Sequence, residues 1–411
     1  MRLLFLTNFY PPHDLGGWEQ NCAEITQQLQ ARGHQTLVLA SRHGVPAIAP
    51  AEEGVERSLD LEADLRHYRP LDLFLHRERR VLYNLGRLRR AIESFRPDLI
   101  FFWGLWNLPQ RLCYWAERWL GPERVAYAVA GYWFVEPDVH EAYWRSPARR
   151  PLARAALALP HALALRRLAR ERRLHPLALR HVSTVSAHVR ERMAQAGRLP
   201  CGARVIYNGI EPQPFIQAGA ERAPSERLRL VYFGGLAAHK GVHTAIEALG
   251  LLRARGQADR LTLTLIGGGH PDYEAQLRRL AAERGVEQLI HFHGRVPRGE
   301  VPRLLAEHDV FLFTSIYEEP IARTVMEAMA SGLAVIASPV GGQREMLVDG
   351  VNALTYPPGD AEALADRVIQ LRDALALRER LAEAGRETVR ERFTLQRMVD
   401  EIEAWLQEIV A

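Results

Sequence analysis

Along the chain, short runs of apolar, β-type residues alternate with longer stretches in which apolar positions recur every three to four residues. That alternation predicts parallel sheets covered by helices, an α/β fold. In the first half RLLFLT, QTLVLA, DLIFFW, RVAYAV, HVSTVS and ARVIYN read as strands; in the second, LRLVYFGG, LTLTLIGG, LIHFHG, DVFLFTS and LAVIAS. Between them a loop from Glu211 to Glu226 carries three prolines, which places a domain boundary there, with domains at 1–212 and 213–390. From about Asp360 onward the chain is rich in Ala, Leu, Glu and Arg with no further strand. These helices are expected to pack outside the sheets, and 391–411 is expected to return to the first domain.

Composition narrows this picture. With 411 residues, 47% apolar and 25% charged, the chain holds two cores rather than one and is neither fibrous nor disordered. The 53 basic and 49 acidic side chains nearly balance, so net charge gives no reason to expect nucleic acid. Cys22, Cys113 and Cys201 lie far apart without CxxC spacing, which excludes a disulfide framework and a cysteine zinc site and points to a reducing compartment. MRLLFLTNFYPP is too short in its apolar run for a signal peptide, and no stretch nears the ~20 apolar residues of a membrane span. The expectation is a cytoplasmic protein, at most peripheral at the inner face of the cell membrane.

Charge patterning adds two features. Between residues 145 and 182 ten arginines face one acid, Glu171. This reads either as a solvated helix face or as a surface for anionic lipid headgroups or an acidic acceptor. Lys240 is the only lysine, the other 52 basic residues being arginine. An ammonium retained where guanidinium has replaced it everywhere else marks a place of tight geometry.

In open parallel sheets ligands bind beyond the carboxyl ends of the strands. Glycines cluster there: Gly16 and Gly17, Gly234 and Gly235 ahead of Lys240, Gly267 to Gly269, and Gly341 and Gly342. Neither GxGxxG nor GxxxxGK[ST] is present, so the dinucleotide fingerprint and the P-loop both fail on spacing. A phosphate-bearing ligand held by turn amides in another way remains. After DVFLFTS come Glu318 and Glu319, then a helix from near Ala322 with Glu327 about one turn in, carboxylates suited to sugar hydroxyls. Six of eight tryptophans fall between Trp103 and Trp144. They read as core, with Trp133 a candidate acceptor platform. His291 and His293 share a strand face but lack a third ligand, so no metal site is expected.

Glu319 and Glu327 in EEPIARTVMEAMASGLAVIAS resemble the EX7E motif of family 4 of the retaining GT-B glycosyltransferases, the glycogen-synthase-like, group 1 enzymes. The likeness runs through YPPHDLGGWEQ, RVIYNGIEPQPF, VYFGGLAAHKGV, LIGGGHPDYEAQLRRLA and VGGQREMLVDGVNAL in the family's order. It implies two Rossmann-like domains facing each other across a cleft, and transfer of a sugar from a nucleoside diphosphate to a hydroxyl of a glycan, lipid-linked sugar or small molecule. It also implies no cofactor and no metal, in keeping with the missing DxD triplet.

Carried over by residue, Lys240 would meet the donor diphosphate with the amides of Gly234 and Gly235, and Glu327 the ribose. Glu319 with Pro320, Ile321, Ala322 and Arg323 would meet the transferred sugar, Arg295 and Val296 would border the base, and Gly16 and Gly17 would approach from the first domain. The chain departs from the family at Gly235, at Ile321-Ala322, and at Ala130-Gly131, which replace a His-Asp pair. His140 is the candidate to stand in for that histidine. The departures keep two alternatives open, a nucleotide-sugar-binding protein without turnover and a nucleotide-sugar epimerase.

Overall fold

A computed structural model describes residues 1–13, 16–45, 52–65, 67–146, 151–199, 202–223 and 225–411, the side chains of 151–157 excepted. Arg149, Arg150, Cys201 and Pro224, and the side chain of Arg154, therefore lie outside the described residues. The chain divides into two compact units. The first is Met1–Val185 with Val189–Ile206 and Val399–Ala411; the second is Ser186–His188 with Tyr207–Met398.

The first unit is built on β1 (Arg2–Leu6), β2 (Gln35–Ser41), β3 (Val55–Leu59), β4 (Leu99–Phe102), β5 (Val125–Val129), β6 (His181–Thr184) and β7 (Arg204–Val205). They lie in the order β3-β2-β1-β4-β5-β6-β7, every pair parallel. The second unit holds β8 (Leu228–Phe233), β9 (Leu261–Ile266), β10 (Ile290–Gly294), β11 (Val310–Phe313), β12 (Ala334–Ala337) and β13 (Leu354–Thr355). Their order is β10-β9-β8-β11-β12-β13, again all parallel. The central strands LIFF, VAYAV, VFLF and AVIA are buried along their whole length, as strands covered on both faces require.

Each order reverses once, between β1 and β4 and between β8 and β11. At such a switch the loops leaving the two strands run to opposite faces and open a crevice at the carboxyl edge. β3 and β13 escaped the sequence reading. β3 is the polar VERSL with three half-buried residues, and β13 is only two residues long, so neither carries an apolar period. The segment read as a proline loop contains a helix, Gln213–Ala220, a correction with a local cause. Pro212 is its N-cap and Pro214 lies in its first turn, where a missing N–H breaks no helical hydrogen bond.

The last helix, Leu395–Val410, places Trp405 edge-on against Phe101, with ring centroids 5.8 Å apart. Its acids anchor it further: Arg32 reaches Asp400 at 2.7 Å, and His34 Nε2 meets Glu403 at 2.7 Å.

Candidate functional site

The second unit's switch point brings together residues nearly eighty positions apart. β8 runs into a turn that ends in the 3-10 stretch Ala238–Lys240, and Gly241 starts the helix Val242–Ala254. Gly241 has φ +64°, and a Cβ there would lie 2.0 Å from the Thr314 carbonyl oxygen, so only glycine fits. The β8 and β11 loops are stitched together at this point. The Thr314 hydroxyl donates to the Lys240 carbonyl at 2.8 Å, and the Ile316 N–H to the His239 carbonyl at 3.0 Å. Burial and the adjacent ammonium of Lys240 hold the His239 imidazole below its ordinary range.

Stitched in this way, the Lys240 ammonium donates to Glu319 Oε1 at 2.6 Å, and the Ser315 hydroxyl donates to the same oxygen at 2.8 Å. Glu319 is buried, whereas the lysine side chain keeps 31% of its surface exposed. The lysine side chain of the pair is therefore partly open to solvent, while the carboxylate it meets is buried. Gly341 and Gly342 hold the backbone of this loop. The Gly342 N–H donates to the Glu319 carbonyl at 2.8 Å, and a Cβ on Gly341 or Gly342 would sit 2.2 Å from the Glu319 carbonyl or 1.8 Å from that of Pro320. From the same turn, Glu345 accepts from the N–H groups of Ala187 and His188, at 2.9 and 2.8 Å, and from the Tyr207 hydroxyl at 2.9 Å.

Glu327 lies on the helix Arg323–Ala330 and is fully buried. Its Oε1 accepts from Arg323 Nε at 2.8 Å and from Arg298 Nη2, and its Oε2 from Arg298 Nη1 at 2.9 Å. A two-pronged guanidinium, backed by a second, compensates the buried charge. Pro320 and Ala322 are half-buried, and Ile321 is buried. Arg295 is exposed and lies over Gly268, where a Cβ would come within 3.0 Å of its side chain; Val296 is half-buried. Gly267 and Gly269 have a steric origin, since a Cβ on either would fall 1.9 Å from the carbonyl of Gly234 or Leu236. Gly235 has open space where a Cβ would stand, and the Tyr232 hydroxyl donates to its carbonyl at 2.8 Å.

The first unit's switch point carries a tryptophan clasp. Trp18 and Trp103 stack with centroids 4.2 Å apart, and each indole N–H donates to the other's carbonyl, at 2.6 and 2.9 Å. The clasp fixes the start of the helix Gly17–Ala31, to which Gly16 is the N-cap in extended conformation. Trp133 is half-buried, its ring tilted against Phe134. His140 is wholly enclosed: Nδ1 meets the Tyr68 hydroxyl at 2.8 Å, and Nε2 lies 3.9 Å from Glu62 Oε1. Among the described residues no three His, Cys, Asp or Glu side chains cluster as metal ligands would.

Burial, with Arg77 and Arg80 nearby and Asp138 and Asp72 opposing, lowers His140 to about 4. Burial likewise raises Glu62 to about 7 despite Arg77 Nε at 2.7 Å. The two effects on stability have opposite signs. Unfolding lets His140 bind a proton between pH 4 and 6.5, so that term stabilises as pH rises. Glu62 releases a proton on unfolding between pH 4.5 and 7, so its term weakens over that range. Melting temperature should therefore rise from pH 4.5 to 6.5 in Glu62→Gln and fall over the same range in His140→Gln. Parallel curves for the two variants contradict the assignment.

Arg298, Ser315, Glu345 and the Trp18–Trp103 clasp were not foreseen. One arginine among 52 carries no distinguishing sequence signal, whereas the GGxxE spacing of Glu345 could have been followed from the glycines already singled out.

The model described as Glycosyltransferase Family 4 matches residues 15–214, and that described as Glycosyl transferases group 1 matches residues 216–388. The amylovoran biosynthesis glycosyltransferase AmsK of Erwinia amylovora is 34% identical over 172 residues, 41% of each chain. The putative colanic acid biosynthesis glycosyltransferase WcaL of Salmonella typhimurium is 33% identical over 227 residues, 53% of this chain and 54% of that one. The chain thus spans about half the length of the curated relatives it matches. The crystal structure of HepE from Anabaena in complex with UDP-glucose superimposes with a TM-score of 0.68 at 22% identity, covering 99% of this chain and all of that one. That likeness shows the GT-B fold. With the two models matching nearly end to end, this chain belongs to the group 1, family 4 glycosyltransferases.

Proposed function

We propose that the protein is a retaining, metal-independent glycosyltransferase that moves a sugar from a nucleoside diphosphate to a hydroxyl of a glycan, lipid-linked sugar or small molecule. The observation that carries this reading is the Lys240–Glu319 pair at the β8/β11 switch point, 2.6 Å apart, with the lysine side chain partly exposed over a buried carboxylate. In the reaction the acceptor oxygen bonds to the anomeric carbon as the bond from that carbon to the diphosphate breaks. The hydroxyl proton passes to the departing phosphate oxygen. The leaving diphosphate gains negative charge, which Lys240 and the turn amides around Gly234 and Gly235 stabilise in place of a metal. Glu319 takes the sugar hydroxyls. A structural neighbour in complex with UDP-glucose, and relatives named for amylovoran and colanic acid biosynthesis, support the substrate class.

Incubation with UDP-, GDP- and ADP-sugars, with and without hydroxyl acceptors and with EDTA, should give nucleotide release that depends on acceptor and is insensitive to chelation. Release without acceptor together with a 2-epimerised sugar means an epimerase, and tight binding without release means a silent binder.

We also propose that the first unit sits on anionic membrane at the inner face. Among the described residues no helix is long and apolar enough to cross one. On the helix Pro151–Leu174, however, Leu159, Leu163 and Leu174 are 69%, 48% and 58% exposed beside the exposed Arg166, Arg170 and Arg173. Glu171, the lone acid of the stretch, is turned inward onto Arg77. The protein should float with anionic liposomes at low salt and less at raised salt; equal, negligible flotation in both makes this face plain solvated surface.

A further inference from the structure

Beyond β4 the chain runs Trp103-Gly104-Leu105-Trp106-Asn107-Leu108, six residues of which four are large and apolar. Three of those four enter the core, Trp103, Leu105 and Leu108 each being 3% exposed or less. Trp106 does not follow them. It is 49% exposed, while the other seven tryptophans are buried or half-buried.

The backbone on either side makes this placement rigid. The Trp103 N–H donates to the Leu6 carbonyl at 2.8 Å, and the Trp103 carbonyl accepts from the Trp18 indole at 2.6 Å. Asn107 stands at φ +61°, a left-handed conformation that asparagine tolerates better than most side chains. Its side chain grips Ala63 twice, accepting from the N–H at 2.9 Å and donating to the carbonyl at 2.8 Å. The Asn107 carbonyl takes the Glu62 N–H at 2.9 Å as well. Turning Trp106 into the core requires breaking that clamp. The loop therefore holds its largest apolar side chain in water, an arrangement that burial of apolar surface gives no reason for.

Resting on the reading that a hydroxyl-bearing acceptor takes the sugar, we propose that Trp106 is the platform on which a pyranose ring of that acceptor stacks. The face of an indole is electron-rich, and a pyranose offers it a face of C–H groups made positive by the neighbouring oxygens, with hydroxyls around the rim. The surroundings suit such a ring. Buried Phe9 lies between two exposed rings, 6.4 Å from Trp106 and 5.6 Å from His43, so the platform stands near an imidazole that can donate or accept a hydrogen bond. Next to His43 in the chain, Arg42 pairs with Asp60 at 2.6 Å, which makes this rim polar rather than lipid-like. Trp106 comes four residues after β4 and His43 two after β2, both at the carboxyl edge where open parallel sheets bind ligands. The clasp between Trp18 and Trp103 ties the same loop to Gly16 and Gly17. Trp133 is the less exposed ring, half-buried against Phe134.

The test uses full-length protein carrying fluorotryptophan at all eight tryptophan positions and read by fluorine NMR. The probes are methyl glycosides of glucose, galactose and mannose, and the disaccharides lactose and cellobiose. Trp106→Phe keeps a ring over Phe9 and identifies the Trp106 signal as the one it removes. At least one probe should shift that signal more than any other. In transfer to that probe from UDP-, GDP- or ADP-sugars, Trp106→Ala should raise the saccharide KM about tenfold or more with kcat within about twofold, whereas Trp106→Tyr stays within about threefold of wild type. Calorimetric affinity for the nucleotide should not change with the ring.

If no probe moves the Trp106 signal, the proposal is overturned. An unchanged saccharide KM in Trp106→Ala overturns it too, and leaves the glycosyltransferase reading standing because transfer is still measured. A signal that moves with anionic liposomes and with no saccharide makes the ring a membrane anchor and rejects the platform. A saccharide that shifts Trp106 in a protein that neither binds a nucleotide nor transfers a sugar keeps the saccharide site, and overturns its acceptor role together with the glycosyltransferase reading.

Discussion

Lys240→Arg should keep the charge and still lower kcat/KM for the donor by about a hundredfold, with Lys240→Ala nearer a thousandfold. The reason is spatial. The ammonium sits on Glu319 Oε1 at 2.6 Å, at the end of a 3-10 turn whose carbonyl groups are tied to Thr314 and Ile316. A guanidinium is wider and planar and cannot occupy that point without displacing the Glu319 loop or leaving it. Donor affinity measured separately divides the effect. Lys240→Ala should lose more in kcat than in binding, since charge on the leaving diphosphate is greatest in the transition state. Unchanged affinity and turnover in both variants remove Lys240 from the site.

The second large effect is expected at a residue without a side chain. Gly342→Ala places a methyl group 1.8 Å from the Pro320 carbonyl oxygen and 2.8 Å from Ser186 Oγ, while the Gly342 N–H holds the Glu319 carbonyl. The Glu319–Pro320 backbone has to retreat by more than an ångström to admit it. Misplacement of that size costs on the order of a hundredfold in rate, and overpacking of this kind about 1–3 kcal/mol in stability. Gly235→Ala is the matched control, because nothing lies within 4 Å of the added Cβ. Its melting temperature should stay at the wild-type value. If the two variants behave alike in rate and in melting temperature, the turn does not position Glu319.

Much of this was readable from residue order. The strands β4, β5, β11 and β12 announce themselves as uninterrupted apolar runs, because a strand buried on both faces admits little else. Lys240 stood out against 52 arginines, and Glu319 and Glu327 through their spacing and the motif they resemble. β3 and β13 were missed because an edge strand or a two-residue strand needs no hydrophobic period. Glycines read together as anion cradles separate in the structure into different kinds. Gly267, Gly269, Gly341 and Gly342 answer to carbonyl groups too close for a Cβ, whereas Gly235 faces open space.

The order of residues determined the α/β class, the two cores and the short list of chemical groups, because burial periodicity and residue type are local properties that survive without coordinates. Only the tertiary structure decided how those groups pair. The strand order reverses between β8 and β11, which seats Lys240 on Glu319 across a sequence gap no periodicity spans. Packing of the β10 turn against the helix Arg323–Ala330 gives Glu327 to Arg298 and encloses it. Ion pairs and close backbone contacts depend on distances between segments, and those distances arise only when the sheet is assembled.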